Sequence, residues 1–198
     1  FFSTLKSLKS YFVFDDEIVC IGSGISGGTE HIETTIDNQR MRTDNSNEVY
    51  INNKKVTENE LTGVQADTLY MEGNIAGDSF CYYFPGGQKI NYLNSYRGGL
   101  TTEFWSSFEP KMIEDYFTEI WIDHGKNPSE ETYAYVMLPN QSQDYLNEYS
   151  KNPDIEIIQQ DDNAHIVSDK KLGMTGYNIW AASQNVTKDG IATSGPVI

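Results

Sequence analysis

The amino-acid sequence predicts an all-β protein, a large antiparallel β-sandwich carrying one short helix. Three observations predict it. About a dozen short runs are rich in β-branched and aromatic residues, turn signals recur between them, and a single window has helical periodicity. At 198 residues the chain can close one sizeable β core.

The elements follow in order. Tyr11–Phe14 and Ile18–Ile21 read as two strands folded over the polar corner Asp15-Asp16-Glu17, which reads as a solvated turn. A glycine-rich loop, Gly22–Gly28, then leads to an extended run, Glu33–Ile36, and the polar cluster Asp37-Asn38-Gln39-Arg40. Val49–Ile51 and Lys54–Val56 form a small hairpin across Asn52-Asn53, because asparagine tolerates the positive φ of tight turns. Thr57–Ala66 is polar and reads as loop. Thr68–Met71 and Ser79–Phe84 are strands; Pro85-Gly86-Gly87 is a turn, with Lys89–Leu93 returning as its partner strand. Arg97-Gly98-Gly99 reads as another turn, and Thr101–Phe108 and Tyr116–Ile122 as strands, the latter broken at Asp123-His124-Gly125.

Thr132–Leu138 is a strand that stops at Pro139. Ser142 then caps a helix with Asp144 in its first turn and Tyr145, Leu146 and Tyr149 on one face, ending at Asn152-Pro153. Ile155–Ile158, Ala164–Val167 and Tyr177–Trp180 complete the strands, and no internal repeat is visible. The aromatic side chains fall mostly within strands, where packing between sheets accounts for them better than an exposed sugar-stacking platform.

Charge and composition exclude several classes. With 29 acidic against 14 basic residues the net charge is −15, which argues against nucleic-acid binding. The apolar runs are too short to span a bilayer, so neither nucleic acid nor membrane is an expected partner. Cys20 and Cys81 lie in strands and read as buried thiols, with a disulfide left open. There is no C-x-x-C, no H-E-x-x-H and no cysteine–histidine cluster, so neither a metal nor a cofactor is expected. Gly22-Ser23-Gly24-Ile25-Ser26-Gly27 satisfies G-x-G-x-x-G, yet Gly28-Thr29 and a β-branched run follow where a dinucleotide site needs a helix N-terminus. A loop between strands is the better reading.

Further polar residues read as structural. His124 stands beside Asp123, but no nucleophile lies nearby in sequence, so it reads as a hydrogen-bonded histidine closing a strand. Glu33 and Asp37 would share one face of a strand about 13 Å apart, too far for a glycosidase pair. Asn140 and Asn185 begin N-x-S/T sequons.

Five segments together resemble polysaccharide lyase family 8, the hyaluronate, chondroitin AC and xanthan lyases. They are SYFVFDDEIVCIGSGI, ETTIDNQR, YYFPGGQKI, WIDHGKNPSEETYAYVMLPN and NPDIEII, in the family's order and spacing over most of the chain. The resemblance implies a supersandwich of the galactose-mutarotase type, here the later part of the central sandwich of a longer, secreted bacterial enzyme. Residues 1–198 would form a single domain, with 185–198 linking toward a C-terminal β domain. An N-terminal α/α toroid of the same chain would be the partner domain. The activity implied is β-elimination in an anionic, uronic-acid-containing polysaccharide of the hyaluronan, chondroitin or xanthan type.

In such an enzyme a tyrosine, helped by histidine, asparagine and arginine, removes the C5 proton once the neighbouring carboxylate is neutralised. No segment here resembles those catalytic motifs, so no catalytic residue is expected in this chain and the fragment alone is expected to be inactive. The stretch after Arg97 also departs from the family's glycine–tryptophan pattern, and Gln39 stands where arginine is common.

Asn38 and Arg40 fit the family's amide–x–basic pattern and are the candidate substrate-binding residues. A guanidinium offers a planar fork for a carboxylate; an ion pair with one of the chain's own acids is the competing reading. The alternative for the whole chain is a non-catalytic carbohydrate-binding or structural β-sandwich module.

Overall fold

The computed structural model describes residues 4–75, 77–103, 109–180, 187, 190–191 and 195–196. Its first nine strands are β1 (Lys6–Val13), β2 (Ile18–Ser26), β3 (His31–Arg40), β4 (Val49–Ile51), β5 (Lys54–Lys55), β6 (Glu60–Glu72), β7 (Ser79–Leu100), β8 (Met112–Lys126) and β9 (Glu131–Pro139). They hydrogen-bond in the order β1-β2-β9-β7-β6-β4-β5, while β8 adds to β7 and β3 adds to β8. All these pairings are antiparallel.

Strand β7 makes this arrangement a sandwich. It pairs β9 through Phe80–Tyr83 and β8 through Asn91–Leu100, with β6 along its other side. The sheet therefore divides along β7 into a β9-β2-β1 wing and a β8-β3 wing. The inner faces of both wings meet in one core: Cys20, Tyr82, Tyr133 and Tyr135 from the first pack with Ile36, Ile120 and Ile122 from the second. Register shifts put the corner in β6 between Ala66 and Thr68, opposite Pro85-Gly86-Gly87. Gly86 and Gly87 have φ of 75° and 80°. The positive φ favours glycine at both positions, whereas the Gln65 Nε2 that a Cβ on Gly87 would meet is the free end of an exposed side chain and could move aside.

The first wing is apolar on both faces, as alternation requires of a strand covered twice. Val19, Ile21, Cys81, Val136 and Leu138 point away from the sandwich core into a second cluster. That cluster is closed by α1 (Gln143–Lys151) and by a three-stranded antiparallel sheet, β10 (Ile155–Gln160), β11 (Ala164–Asp169) and β12 (Met174–Ile179). Ser142 caps α1 by accepting from the Tyr145 N–H at 3.1 Å, and Leu146 and Tyr149 form its buried face. The helix thus stands where its caps and apolar stripe predict.

Several expectations change. Gly22–Ser26 is strand, not loop: β2 runs to Ser26 and carries a bulge between Gly22 and Ile25. Gly22 is there because the Tyr133 ring lies across it, where a Cβ would sit, and Gly24, at φ 58°, faces the Asp162 carboxylate. Thr57–Ala66 mostly belongs to β6, Lys89–Leu93 continues β7, and Arg97-Gly98-Gly99 is also strand. Thr101–Glu103 is a short 3-10 turn, and the remainder of the Thr101–Phe108 strand expected from sequence lies outside the described residues. Of the 185–198 link, only 187, 190–191 and 195–196 are described. Glu17 is no solvated turn residue: it is buried at 3% exposure and accepts a hydrogen bond from the Tyr149 hydroxyl. Burial, with Asp169 and Asp154 nearby, pushes its carboxyl up to about 7 despite that bond. Cys20 and Cys81 are both buried free thiols.

Candidate functional site

Strand β3 carries both candidate residues, and a single extra residue decides where they point. Its pairing with β8 runs Glu33↔Asp123, Thr34↔Ile122, Thr35↔Trp121, then skips to Asp37↔Ile120, Asn38↔Glu119 and Arg40↔Phe117. Ile36 is the inserted residue. Ile36 and Asp37 thus both face inward against Ile120, and the alternation beyond them is inverted. Glu33 lies on the outer face of the second wing and Asp37 on the inner one, so they do not share a face as alternation alone implied. Asn38 and Arg40 are turned outward.

Asp37 is consequently an inward-facing carboxylate. It accepts from the Tyr82 hydroxyl, which belongs to the opposite wing, from Gln39 Nε2 at 2.7 Å and from the Asn38 N–H at 2.8 Å. Burial raises its pKa and these bonds pull it partly back. The fully buried Tyr82 and the half-buried Asp37 tie the two wings together.

On the outer face Asn38 and Arg40 meet Arg97 from β7 and Asp115, Phe117 and Glu119 from β8. Arg40 donates through Nε to Asp115 Oδ2 at 2.5 Å and through Nη2 to the same oxygen. The Arg40 side chain is 60% exposed and that of Asp115 only 5%, so the cation covers a buried anion. Two of five guanidinium N–H groups are aimed at Asp115, which leaves donors facing solvent. Asn38 Nδ2 donates to Glu119 Oε1 at 3.2 Å, while its Oδ1 accepts from Arg97 Nη2 at 3.4 Å. Arg97 also pairs with Glu119 and stacks its guanidinium 4.9 Å from the Phe117 ring centroid. Sequence reasoning did not single out Arg97. The signal was its register opposite Asp115, which only the β7–β8 pairing reveals.

His124 is half-buried, bonded through Nε2 to Thr34 Oγ1 at 2.9 Å, with desolvation the first cause lowering its pKa. The hydrogen-bonded reading holds, but His124 closes no strand: β8 runs unbroken through Asp123-His124-Gly125 to Lys126 because β3 goes on pairing it as far as His31. His165, which has no distinguishing sequence signal, is central to the contact between the three-stranded sheet and the sandwich. It is fully buried, with Nδ1 2.8 Å from Ser10 Oγ and Nε2 2.9 Å from Ser23 Oγ. Ser23 Oγ in turn donates to the Asp161 carbonyl, and Asn178 Nδ2 donates to Ser10 Oγ. Because Ser23 donates to Asp161, it must accept from His165 Nε2–H, and burial, which lowers the ring's pKa to about 4, leaves Nδ1 unprotonated to accept from Ser10. Gln160 Nε2 adds bonds to the Gly22 and Tyr133 carbonyls, each at 2.8 Å. The glycine motif in β2 is therefore where the second sheet docks. Among the described residues no group of three or more His, Cys, Asp or Glu side chains is placed to hold a metal ion, and no helix is long and apolar enough to cross a membrane.

Known proteins share this architecture. The description "Polysaccharide lyase family 8, super-sandwich domain" matches residues 3–150, and "Polysaccharide lyase family 8, C-terminal beta-sandwich domain" matches residues 156–198. A xanthan lyase of Bacillus sp. strain GL1 is 34% identical over 89% of this chain, and the hyaluronate lyase HylB of Enterococcus faecalis is 29% identical over 89%. Those matches span 20% and 18% of the relatives, so the chain covers about a fifth of their length. The solved structure of a Paenibacillus xanthan lyase superposes with a TM-score of 0.89 at 29% identity, covering 93% of this chain and 18% of that one. With its sandwich, its second sheet and the sequence match over 3–150 in agreement, the chain belongs to polysaccharide lyase family 8.

Proposed function

We propose that this chain is the later part of the sandwich of a secreted lyase that cleaves a uronic-acid-containing polysaccharide by β-elimination. In that role it supports an N-terminal toroid and lines the substrate cleft with the outer face of the β8-β3 wing. The observation that carries the assignment of the face is the Ile36–Asp37 bulge. It turns Asn38 and Arg40 outward beside Arg97, gathering two guanidinium groups in a chain of net charge −15. Arg40 and Arg97 are paired with Asp115 and Glu119, so the patch carries no net positive charge and would hold a uronate through the Arg40 N–H donors that face solvent.

The Arg40–Asp115 pair favours a second reading, in which Arg40 holds β3 to β8 and never meets the polymer. Steady-state kinetics of the full-length enzyme carrying Arg40→Ala or Arg40→Lys separate the two. Cleft binding predicts a rise in KM of about ten- to a hundredfold for Ala, partly recovered by Lys, with little change in Tm. A large fall in Tm with normal kinetics would assign Arg40 to the structure alone. The isolated chain is expected to release no unsaturated uronate. We also propose that the described residues fold as one unit, because the His165 network and the second apolar cluster bury the contact between the two sheets.

A further inference from the structure

The two wings differ in what lies over their outer faces. On the first wing, α1 and the three-stranded sheet close a buried cluster to which no residue of β3 or β8 contributes. Among the described residues the outer face of the second wing has no such layer, and a strand surface facing water should carry polar side chains. On β3, Thr35, Asn38 and Arg40 follow that rule and are exposed. Strand β8 does not. Its outward residues run Asp115, Phe117, Glu119, Trp121 and Asp123, acid and aromatic in turn. Phe117 and Trp121 are both partly exposed, and neither belongs to any of the three buried clusters.

Phe117 is accounted for by the Arg97 guanidinium stacked on it. Trp121 has no such cover. It stands in register between Asn91 of β7 and Thr35 of β3. Indole area left in water is covered well by the C–H face of a sugar ring, whose hydroxyls then stay with Thr35 and solvent. Along β8, Trp121 is four residues from Phe117, or about 13 Å, and Arg40 is paired opposite Phe117. A polymer that sets a carboxylate on the solvent-facing Arg40 donors and follows β8 therefore brings a more distant unit over Trp121.

The charges decide which unit that is. Glu33 and Asp123 face each other on the same surface, one position beyond Trp121 and its partner Thr35. Asp123 accepts from the Gly125 N–H at 2.7 Å, the first cause holding its pKa below the usual value, and His31 lies 3.4 Å from it. On the other side Glu119 is paired with Arg97. Two carboxylates beside the indole oppose a uronate or a sulfated sugar and leave a neutral one unopposed. We propose that Trp121 is a stacking position for a neutral sugar unit, so that this face reads a uronate at Arg40 and a neutral unit further along the same polymer. The proposal rests on the reading of this face as the substrate cleft.

The test is steady-state kinetics of the full-length enzyme on size-defined oligosaccharides, from tetra- to decasaccharide, of hyaluronan, unsulfated chondroitin and xanthan. Trp121→Ala should raise KM about tenfold on substrates long enough to span both positions, with kcat unchanged. On the shortest substrate that is cleaved, KM should stay within about twofold of wild type. Trp121→Phe should recover part of the loss, because the smaller ring still stacks, and Glu33→Lys should narrow the gap in KM between sulfated and unsulfated chondroitin. A KM unchanged at every length would overturn the proposal. An equal rise at every length would overturn it too, since Trp121 would then be a support of the sheet. Should Trp121→Ala fail to fold, Trp121→Phe decides by the same dependence on length. Arg40→Ala should raise KM at every length, so a normal KM in that variant, or cleavage of none of the three polymers, would overturn the cleft reading itself. The expected Arg40 effect without a length-dependent Trp121 effect would overturn this proposal alone.

Discussion

Protonating His165 should detach the three-stranded sheet from the sandwich. The ring is fully buried and its pKa is lowered from 6.5 to about 4, chiefly by desolvation, with Asp161 and Asp162 opposing that shift. The unfolded chain takes up a proton near pH 6.5, and the folded chain resists it until about pH 4. The stabilisation is therefore fully present above pH 6.5 and is lost as pH falls toward 4. A gap of about 2.5 units corresponds to roughly 3 kcal/mol. Burial is the main reason, and the hydrogen bonds add to it: a proton on Nδ1 would displace the bond donated by Ser10 Oγ and leave that buried hydroxyl proton without its acceptor. Carboxylates titrate across the same window, Glu17 in the opposite sense, so the informative quantity is the difference between wild type and His165→Leu. Urea unfolding at pH 7 and pH 4 measures it, with Trp180 as a local fluorescent probe because its ring lies 4.5 Å from that of His165. The variant should be less stable at pH 7 and lose about 3 kcal/mol less than wild type on acidification. Parallel losses in the two proteins would refute the reasoning.

Three further outcomes follow from the packing. Gly22→Ala should destabilise by about 1–3 kcal/mol through the collision with Tyr133, and chemical denaturation with unchanged stability would show that the ring simply moves aside. Tyr82→Phe removes a donor from the half-buried Asp37 and should cost about 1–3 kcal/mol while raising the Asp37 pKa further; NMR titration of that carboxyl checks the direction. Cys20 and Cys81 should resist thiol reagents until unfolding, since both are buried and burial raises the pKa of each, that of Cys81 to about 12. Labelling of the native protein within minutes would contradict that.

Where sequence and structure part company, bulges are the cause. The inward residues of β6 are Leu61, Val64, Ala66, Leu69 and Met71, spaced by three, two, three and two. Two register shifts lengthen the period at those points, so a polar-looking stretch conceals a regular strand. The same holds in β7, where Pro85-Gly86-Gly87 has the composition of a hairpin turn yet serves as a corner within one strand. Local chemistry marks a bend but cannot say whether the chain reverses or continues, because that depends on a partner distant in sequence. The helix was legible since its cap, stripe and stop all lie within a dozen residues.

The candidate site was legible in kind and not in connection. Composition marks Arg40 as a cation in an acidic chain and leaves its partner open among 29 acids. The structure names Asp115, two positions from the β8 residue opposite Arg40, and the inserted Ile36 is what brings them to the same face. Pairing all these residues without the bulge would restore strict alternation along the sequence and turn Asn38 and Arg40 inward, leaving Asp115 uncovered on the outer face, whereas deleting Ile36 itself would leave both facing outward. The bulge-free register should therefore cost far more than the loss of one core side chain, since it would bury a guanidinium and strand a carboxylate at once, while deletion of Ile36 should cost about what loss of its buried side chain costs, roughly 2–5 kcal/mol. The bulge is thus the feature on which the patch depends, and its sequence signature is the adjacent pair Ile36-Asp37, an apolar and an acidic residue sharing one inward position.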